Sequence, residues 1–273
     1  MLLKFLHRRW CLLGLLWPAF FFCTPLLHAD QPPIIAIVID DLGHEYKRGK
    51  VLIDLPYALT CAFLPKRPYT TELARRAAKQ GKEVMLHLPM QSTGNQFALG
   101  YGGLTIDLTQ REFKSLVRES LRSLPHATGI NNHMGSLLTR HPGHMAWLMQ
   151  VLAEEDKYYY FVDSKTTART VASKIANEYF IPNITRDVFL DSSRRREDVD
   201  HQINRLIATA KRKGYALGIG HPYPVTIAAL EKALPRIERS GIEIVPVTGL
   251  IQRVRAQRWL TAKPEQPTKT TVN

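Results

Sequence analysis

Cysteine is nearly absent from the sequence, which has three cysteines among its 273 residues. Cys11 and Cys23 lie in an apolar N-terminal stretch, so Cys61 alone remains if that stretch is removed. A single thiol cannot form an internal disulfide, and the apolar neighbours of Cys61 predict a buried, unreactive strand position. The fold must therefore be held together by its hydrophobic core, and a disulfide scaffold is excluded.

Negative charge is also scarce. The sequence has 24 Asp and Glu residues against 37 Lys and Arg residues, which gives a formal net charge of +13. The basic residues nevertheless form no cluster interleaved with aromatic side chains, the pattern typical of nucleic-acid binding. We therefore expect no nucleic-acid partner. The excess positive charge is interpreted either as a solvated surface or as a match to anionic envelope polymers or phospholipid surfaces.

The N-terminus has the pattern of a secretory signal peptide. Three basic residues precede an apolar run at residues 10–27, and Ala29 offers a small residue for cleavage. We predict a signal peptide at residues 1–29, cleavage after Ala29 and a periplasmic location. An uncleaved inner-membrane anchor is the alternative, because the apolar run approaches the length of a membrane span. Pro18 and Pro25 within the run favour the signal peptide.

The rest of the chain alternates between apolar strands and amphipathic helices about eight times, the pattern of parallel βα units. Residues 34–39 form a continuous β-branched run, which is typical of a strand buried on both faces. We predict an α/β fold, an irregular, TIM-like (β/α) barrel of seven or eight parallel strands with outer helices, over residues 30–255. A helix should start at Thr109, with Glu112 completing a capping box. The polar tail at residues 256–273 is expected to be disordered, and the protein to be a monomer.

Polar side chains directly follow several of the predicted strands. Asp40 and Asp41 end the first strand, and two adjacent carboxylates there cost energy unless a cation or a proton-transfer role requires them. The other strand-end residues are His87, Asn132, His133, Asp163 and His221. In a parallel barrel these positions all lie on one rim, so we expect them to converge on a single pocket.

Such a set of side chains suits metal-assisted hydrolysis. Two carboxylates and two or three imidazoles match one divalent cation, and zinc takes about four such ligands while a catalytic site keeps one place for water. Water bound there becomes a usable nucleophile near neutral pH. A carboxylate beside the ligands can accept its proton, and an imidazole can protonate a leaving amine.

These residues also resemble a known family. The strand ending at Asp40 and Asp41 and the segments at residues 81–87 and 219–222 resemble three motifs of the NodB-homology polysaccharide deacetylases. Residues 131–136 and 219–222 are similar to its divergent, YibQ-like branch. The resemblance covers nearly the whole mature chain. It implies a TIM-like barrel, a divalent metal, and removal of N-acetyl groups from a cell-envelope polysaccharide.

The resemblance also implies roles for individual residues. Asp40 would be the catalytic base, Asp41 and His87 would bind the metal, and His221 would be the general acid. Asp163 falls where the family keeps another strand-end Asp. We predict that Asn132, Asp163 and Ser164 orient these groups or contact substrate.

One position departs from the family pattern. The second metal-binding His of the family should lie four residues after His87, where this sequence has Gln91. We predict that His133 supplies the missing ligand, which gives the set Asp41, His87 and His133. The alternative is a catalytically inactive protein that binds an envelope glycan or protein. Asp191, another strand-end acid, is interpreted as part of a cap or loop.

Several of these residues also have a purely structural interpretation. Either Asp40 or Asp41 can cap the following helix, although only one of them can do so. His87 can be a core histidine, and His133 can bond to a backbone carbonyl. Asp163 with Ser164 can form a turn.

Overall fold

The computed structural model describes residues 31–94 and 99–261, without the side chains of residues 258–261. The predicted signal peptide and the chain after residue 261 lie outside these residues. Within the described ranges, no helix is both long and apolar enough to cross a membrane.

A single sheet of parallel strands forms the centre of the described chain. Its strands are β1 (Ile34–Leu42), β2 (Thr60–Phe63), β3 (Glu83–Met90), β4 (Gly129–Met134), β5 (Tyr160–Asp163), β6 (Asn183–Thr185), β7 (Val188–Phe189), β8 (Tyr215–Gly220) and β9 (Glu243–Ile244). The strand order is β6-β5-β4-β3-β2-β1-β8-β7, and β9 pairs with the start of β1. The sheet curls into a half-barrel, which confirms the predicted fold class.

Helices surround the sheet and lie between most of its strands. They are α1 (Tyr46–Asp54), α2 (Thr70–Lys79), α3 (Gln110–Arg122), α4 (Pro142–Glu154), α5 (Ala172–Glu178), α6 (Arg196–Lys213), α7 (Pro224–Arg239) and α8 (Val247–Thr261). Helix α3 starts with the predicted capping box. The Thr109 side chain accepts from the Glu112 backbone N–H, and the Glu112 carboxylate accepts from the Thr109 backbone N–H at 2.9 Å.

Strand β1 is buried on both faces, as its composition predicts. Ile35, Ile37 and Ile39 pack into the cluster beneath the outer helices. Ile34, Ala36 and Val38 pack into a second cluster, inside the curled sheet. Burial of each large aliphatic side chain contributes about 1.5–3 kcal/mol. Because side chains alternate along a strand, Asp40 continues the inner row of residues 34, 36 and 38.

The end of the domain differs from the sequence expectation. The apolar run at residues 242–247 predicts a last strand, but β9 has two residues and Val247 begins helix α8. The Glu83 carboxylate accepts the Val247 N–H at 2.7 Å, and a carboxylate at a helix N-terminus stabilises the helix. Leu250 and Val254 of α8 join the inner cluster. Helix α8 thus continues past the predicted domain end at residue 255.

We predict that Gly129→Ala destabilises the protein by about 1–3 kcal/mol, the usual cost of overpacking. A Cβ at Gly129 would overlap the buried ring of Tyr160 on the neighbouring strand. Gly143→Ala is the control, because nothing lies within 4 Å of a Cβ at this position of α4. Urea unfolding followed by circular dichroism measures both variants. Equal unfolding midpoints for the two would contradict the packing described here.

Candidate functional site

The predicted site residues meet at the carboxyl end of the sheet because of the alternation of side chains along parallel strands. Residues 36, 38, 85, 162, 217 and 219 all belong to the inner cluster. Continuing the same alternation by two residues reaches Asp40, His87, Ser164 and His221. On β1, β3, β5 and β8, the row of side chains that faces the inside of the sheet therefore ends in a polar residue, and these four residues lie at the same rim.

Asp41 reaches the same rim by a backbone irregularity. Strict alternation would turn its side chain to the opposite face from Asp40. Instead, Asp41 has a φ of 57°, and the pairing of β1 with β2 shifts register between Ile39 and Leu42. Both carboxylates consequently lie beside one imidazole, with His87 Nδ1 3.6 Å from Asp40 Oδ1 and His87 Nε2 3.3 Å from Asp41 Oδ1.

Asp41, His87 and His133 form a triangle of possible ligand atoms. The Asp41 Oδ1–His133 Nδ1 distance is 3.0 Å, Asp41 Oδ1–His87 Nε2 is 3.3 Å, and His133 Nδ1–His87 Nε2 is 3.1 Å. Ligand atoms about 2.0–2.1 Å from a tetrahedral zinc ion lie roughly 3.3 Å apart, so the spacing fits such an ion. Among the described residues, no other group of three His, Cys, Asp or Glu side chains meets this test.

The Asn131 amide determines which nitrogen of His87 faces the triangle. Its Nδ2 donates to Asp40 Oδ1 at 2.7 Å, which leaves its Oδ1 2.8 Å from His87 Nδ1. His87 Nδ1 therefore carries the proton, and in the neutral ring the Nε2 lone pair points toward Asp41 Oδ1. That buried oxygen faces both imidazoles but accepts no well-aligned hydrogen bond from the described residues. The lone pairs of His87 Nε2 and Asp41 Oδ1 repel each other unless a cation lies between them. The donor set therefore fits a metal ion.

The charges at the site are strongly coupled. Burial raises the pKa of Asp40 above its usual range. Burial has the same tendency at Asp41, but the imidazoles of His133 and His87 outweigh it and hold that pKa well below its usual range. Burial lowers the pKa of His87, and the charges of Asp40 and Asp41 more than reverse this. A proton on His87 and a metal ion therefore compete for the same position.

His221 is paired with Asp191, a residue that the sequence interpretation missed. The His221 ring Nδ1 lies 2.9 Å from Asp191 Oδ1, and the His221 backbone N–H donates to Asp191 Oδ2 at 2.6 Å. Burial tends to lower the pKa of His221, but the bond to Asp191 and nearby negative charges raise it to about 9. Asp191 also accepts from Thr226 Oγ1, so it is a fully bonded, buried carboxylate and not a loop cap. The sequence did offer one indication of this role, because Asp191, like the predicted site residues, follows a strand.

The other predicted orienting residues connect neighbouring strand ends. Asn132 donates to the Met134 carbonyl at 2.7 Å and accepts the Ser164 N–H at 2.9 Å, so it joins the ends of β4 and β5. Ser164 Oγ lies 3.3 Å from Asn131 Nδ2. The Asp163 carboxylate accepts from the Lys165 N–H and Thr170 Oγ1, so it fixes the loop after β5 and does not reach the ligand triangle.

A cavity of about 330 Å³ opens over these residues. Its lining includes Asp40, His87, His133 and His221, so the proposed base, two possible ligands and the proposed acid share one space. Arg186, also missed in the sequence, lines the cavity and donates to the Ser164 carbonyl at 2.7 Å.

Comparison with known proteins assigns the family. The family model described as "Divergent polysaccharide deacetylase" matches residues 37–251. The chain belongs to this family. The resemblance seen in the sequence is thereby confirmed.

Two curated relatives support the family assignment. An uncharacterized protein of Haemophilus influenzae is 34% identical over 230 residues, 84% of this chain and 80% of that protein. The uncharacterized protein YibQ of Escherichia coli K12 is 37% identical over 198 residues, 72% of this chain. The match spans 61% of YibQ, so this chain corresponds to only part of that relative.

Solved structures share the fold of this divergent deacetylase family member. An uncharacterized protein of Agrobacterium tumefaciens superposes with a TM-score of 0.74 at 23% identity, over 81% of this chain and 89% of that one. The catalytic domain of a peptidoglycan N-acetylglucosamine deacetylase from Eubacterium rectale gives a TM-score of 0.51 at 13% identity, over 79% and 88% of the two chains. At these identities the likeness shows the fold alone.

Gln91, the residue that departs from the family pattern, stabilises the loop after β3. Its side-chain Oε1 accepts the Ile106 N–H at 2.8 Å, and its carbonyl accepts the N–H groups of Leu137 and Leu138. The buried amide therefore holds the chain after β3 in place. His133, from the neighbouring strand, lies beside Asp41 and His87 as predicted; its role as a ligand stays a prediction.

We predict that the purified protein binds about one zinc ion per chain and that His133→Ala weakens binding by at least about 10- to 100-fold. The expected loss follows from removing one corner of the ligand triangle. Competition with a chromogenic chelator measures the affinity, and the rise in melting temperature on adding zinc provides a second readout. His201→Ala is the matched control, because His201 is exposed on α6. Equal affinities for the two variants would exclude His133 as a ligand.

Proposed function

We propose that this protein is a metal-dependent deacetylase that removes N-acetyl groups from a cell-envelope polysaccharide. The observation that carries the proposal is the shared cavity. It is lined by a carboxylate with a raised pKa, Asp40, by an imidazole paired with a buried acid, His221, and by two corners of the ligand triangle, His87 and His133. The third corner, Asp41, lies 3.3 Å from His87 Nε2. A base, an acid and a cation site in one cavity are the parts that hydrolysis of an amide requires.

The residues that would hold the ion are Asp41, His87 and His133, and their nitrogen and carboxylate donors favour zinc. When bound, the ion would supply a Lewis acid for the acetyl carbonyl and would make water a nucleophile near neutral pH. Asn131 supports this set by keeping the proton of His87 on Nδ1, away from the ion.

Asp40 is the proposed general base. The Asn131 amide holds its Oδ1, and its burial raises its pKa, which makes it a better proton acceptor than an ordinary aspartate. Asp40 takes the proton of the attacking water as the water oxygen bonds to the acetyl carbon.

His221 is the proposed general acid. Asp191 holds its Nδ1, and a pKa of about 9 keeps the ring protonated at neutral pH, so Nε2 has a proton to give. The carbon–nitrogen bond then breaks, and the amine leaves with the proton from His221. The products are acetate and a glycan with a free amino group.

The substrate class rests on the family and on the cavity. The family is that of the divergent polysaccharide deacetylases, and the cavity of about 330 Å³ is of the size that holds one acetamido sugar. Together with the predicted signal peptide, this suggests an envelope glycan reached in the periplasm. A periplasmic protein partner remains part of the alternative, binding-only function.

We predict that the zinc-loaded protein releases acetate from at least one member of a panel of N-acetylated envelope glycans. Asp40→Asn and His221→Ala should each reduce kcat by about 10²–10⁴-fold, the usual contribution of a general base or acid. Asp191→Asn should also reduce kcat, because it removes the charge that keeps His221 protonated. An enzymatic acetate assay measures all variants.

His201→Ala is again the control and should retain full activity. If metal-loaded wild-type protein binds glycans but releases no acetate from any of them, deacetylation is excluded and the binding-only function takes its place.

A further inference from the structure

Two cationic side chains, Arg186 and Lys165, line the cavity that holds the proposed active site. Lys165 lies two residues after β5, and Arg186 directly follows β6. These strands are parallel neighbours, with Asp163 opposite Thr185, so both side chains leave the sheet at the rim of the site. Arg186 is half-buried and Lys165 is exposed, so solvent, and hence a ligand, reaches both of them.

One edge of the Arg186 guanidinium is fixed by the protein. Its Nε donates to the Ser164 carbonyl at 2.7 Å, and its Nη2 donates to the Lys165 carbonyl at 3.0 Å. The guanidinium carbon lies 4.9 Å from the centre of the Phe189 ring, which in turn lies 5.5 Å from the centre of the His221 ring. These contacts hold the positive charge of Arg186 in the cavity, close to the proposed general acid.

The other edge of the guanidinium is open. It consists of Nη1 and the second proton of Nη2, and neither donates to a described residue. Among the described residues, no carboxylate lies within 4.0 Å of the Arg186 guanidinium or of the Lys165 ammonium. Asp187, next to Arg186 in the chain, pairs with Lys213 instead, at 2.5 Å. The described part of the chain thus leaves two cations of this cavity without an anionic partner.

The overall charge of the site favours an anionic ligand. The carboxylates around the cavity already have partners within the protein, and they are Asp40, Asp41 and Asp191. With a divalent cation bound to the ligand triangle, that cation, Arg186 and Lys165 carry more charge than these three carboxylates. The loaded cavity is therefore positive and attracts a negatively charged group.

We propose that the open edge of Arg186, aided by the charge of Lys165, binds a carboxylate of the substrate inside the cavity, so that the preferred substrate is an acidic N-acetylated glycan. A planar guanidinium edge matches a carboxylate in two parallel hydrogen bonds. Because the cavity of about 330 Å³ holds one sugar, the carboxylate belongs to the reacting acetamido sugar or to the sugar bonded to it. The inference rests on the proposed deacetylase function, which it deepens by naming the substrate class.

Two matched pairs of oligosaccharides test the inference. The first is a hexasaccharide of alternating N-acetylglucosamine and glucuronate, which carries its carboxylates next to the acetamido sugars. The second alternates N-acetylglucosamine and N-acetylmuramate, which carries them on acetamido sugars. Each is compared with its own methylamide, in which the carboxylates are neutral. Calorimetry gives the dissociation constants with the zinc-loaded protein, and an acetate assay gives kcat and KM. The pair that shows the larger preference identifies the sugar that carries the carboxylate.

The variants are chosen to separate charge from folding. Arg186→Gln removes the proposed partner of the carboxylate, and Arg186→Lys keeps its charge without the planar edge. Lys165→Gln removes an exposed charge whose side chain bonds to no described residue. Arg169→Gln is the control, because it removes an exposed arginine from the same loop after β5, outside the cavity lining. Melting temperatures verify that each variant is folded.

We expect wild-type protein to bind at least one acidic hexasaccharide about 10- to 100-fold more tightly than its methylamide, as for a hydrogen-bonded ion pair. Arg186→Gln should abolish this preference without changing the affinity for the methylamide, and Arg186→Lys should retain part of it. Lys165→Gln should reduce it by about two- to five-fold, as for an exposed charge, and Arg169→Gln should leave it unchanged. In kinetics the loss should fall on KM, because the carboxylate takes no part in the reacting bond.

Three results would overturn the inference: equal affinity of wild-type protein for the acidic and the amidated form of both hexasaccharides, no binding of any of the four, or an equal loss in Arg186→Gln and Arg169→Gln. If Arg186→Gln fails to fold, an unchanged preference in Lys165→Gln and Arg186→Lys would overturn it as well. The test also separates the two proposals. An acidic preference that depends on Arg186, without acetate release, would support the role of Arg186 and exclude deacetylation of these glycans. Acetate release from acidic and amidated forms at equal KM, unaffected by Arg186→Lys and Lys165→Gln, would do the reverse.

Discussion

The hydrogen bond between Asn131 Oδ1 and His87 Nδ1 is the contact on which the site depends. Because the other end of the same amide donates to Asp40, one side chain orients both the proposed base and a proposed ligand. It also fixes the proton of His87 on the nitrogen that faces away from Asp41 and His133. The ligand triangle and Asp40 are therefore one connected unit, and moving Asn131 would disturb both.

The half-barrel makes this arrangement possible because it places many inner rows of side chains at one rim. The apolar residues of each row are packed inside the curled sheet. The free energy gained by burying them offsets the free energy lost by burying two carboxylates and three imidazoles at the strand ends. The one deviation from regular alternation, at Asp41, brings the second carboxylate to the side of the first. Without this irregularity the two carboxylates would lie on opposite faces of the strand. With it, both lie at the same rim, where Asp41 can take part in a possible cation site.

The possible ligand set differs from the family pattern in the strand that supplies one of its residues. A ligand placed four residues after His87 would come from the chain just past the end of β3, whereas His133 comes from the neighbouring strand β4. The parallel register pairs Pro89 with His133, which brings the imidazole to the level of the site. Gln91 is then free to hold the following loop, which it does through Ile106, Leu137 and Leu138.

The sequence alone determined the fold class, the capping box at Thr109, and the strand ends that bear Asp40, Asp41, His87, His133 and His221, because strand alternation and capping are set by residues close together in the chain. Tertiary structure decided the rest. Asn131 meets Asp40 across 91 positions, Asp191 meets His221 across 30, and Glu83 meets Val247 across 164. Such pairs depend on which strands become neighbours and in what register, and no local pattern encodes that.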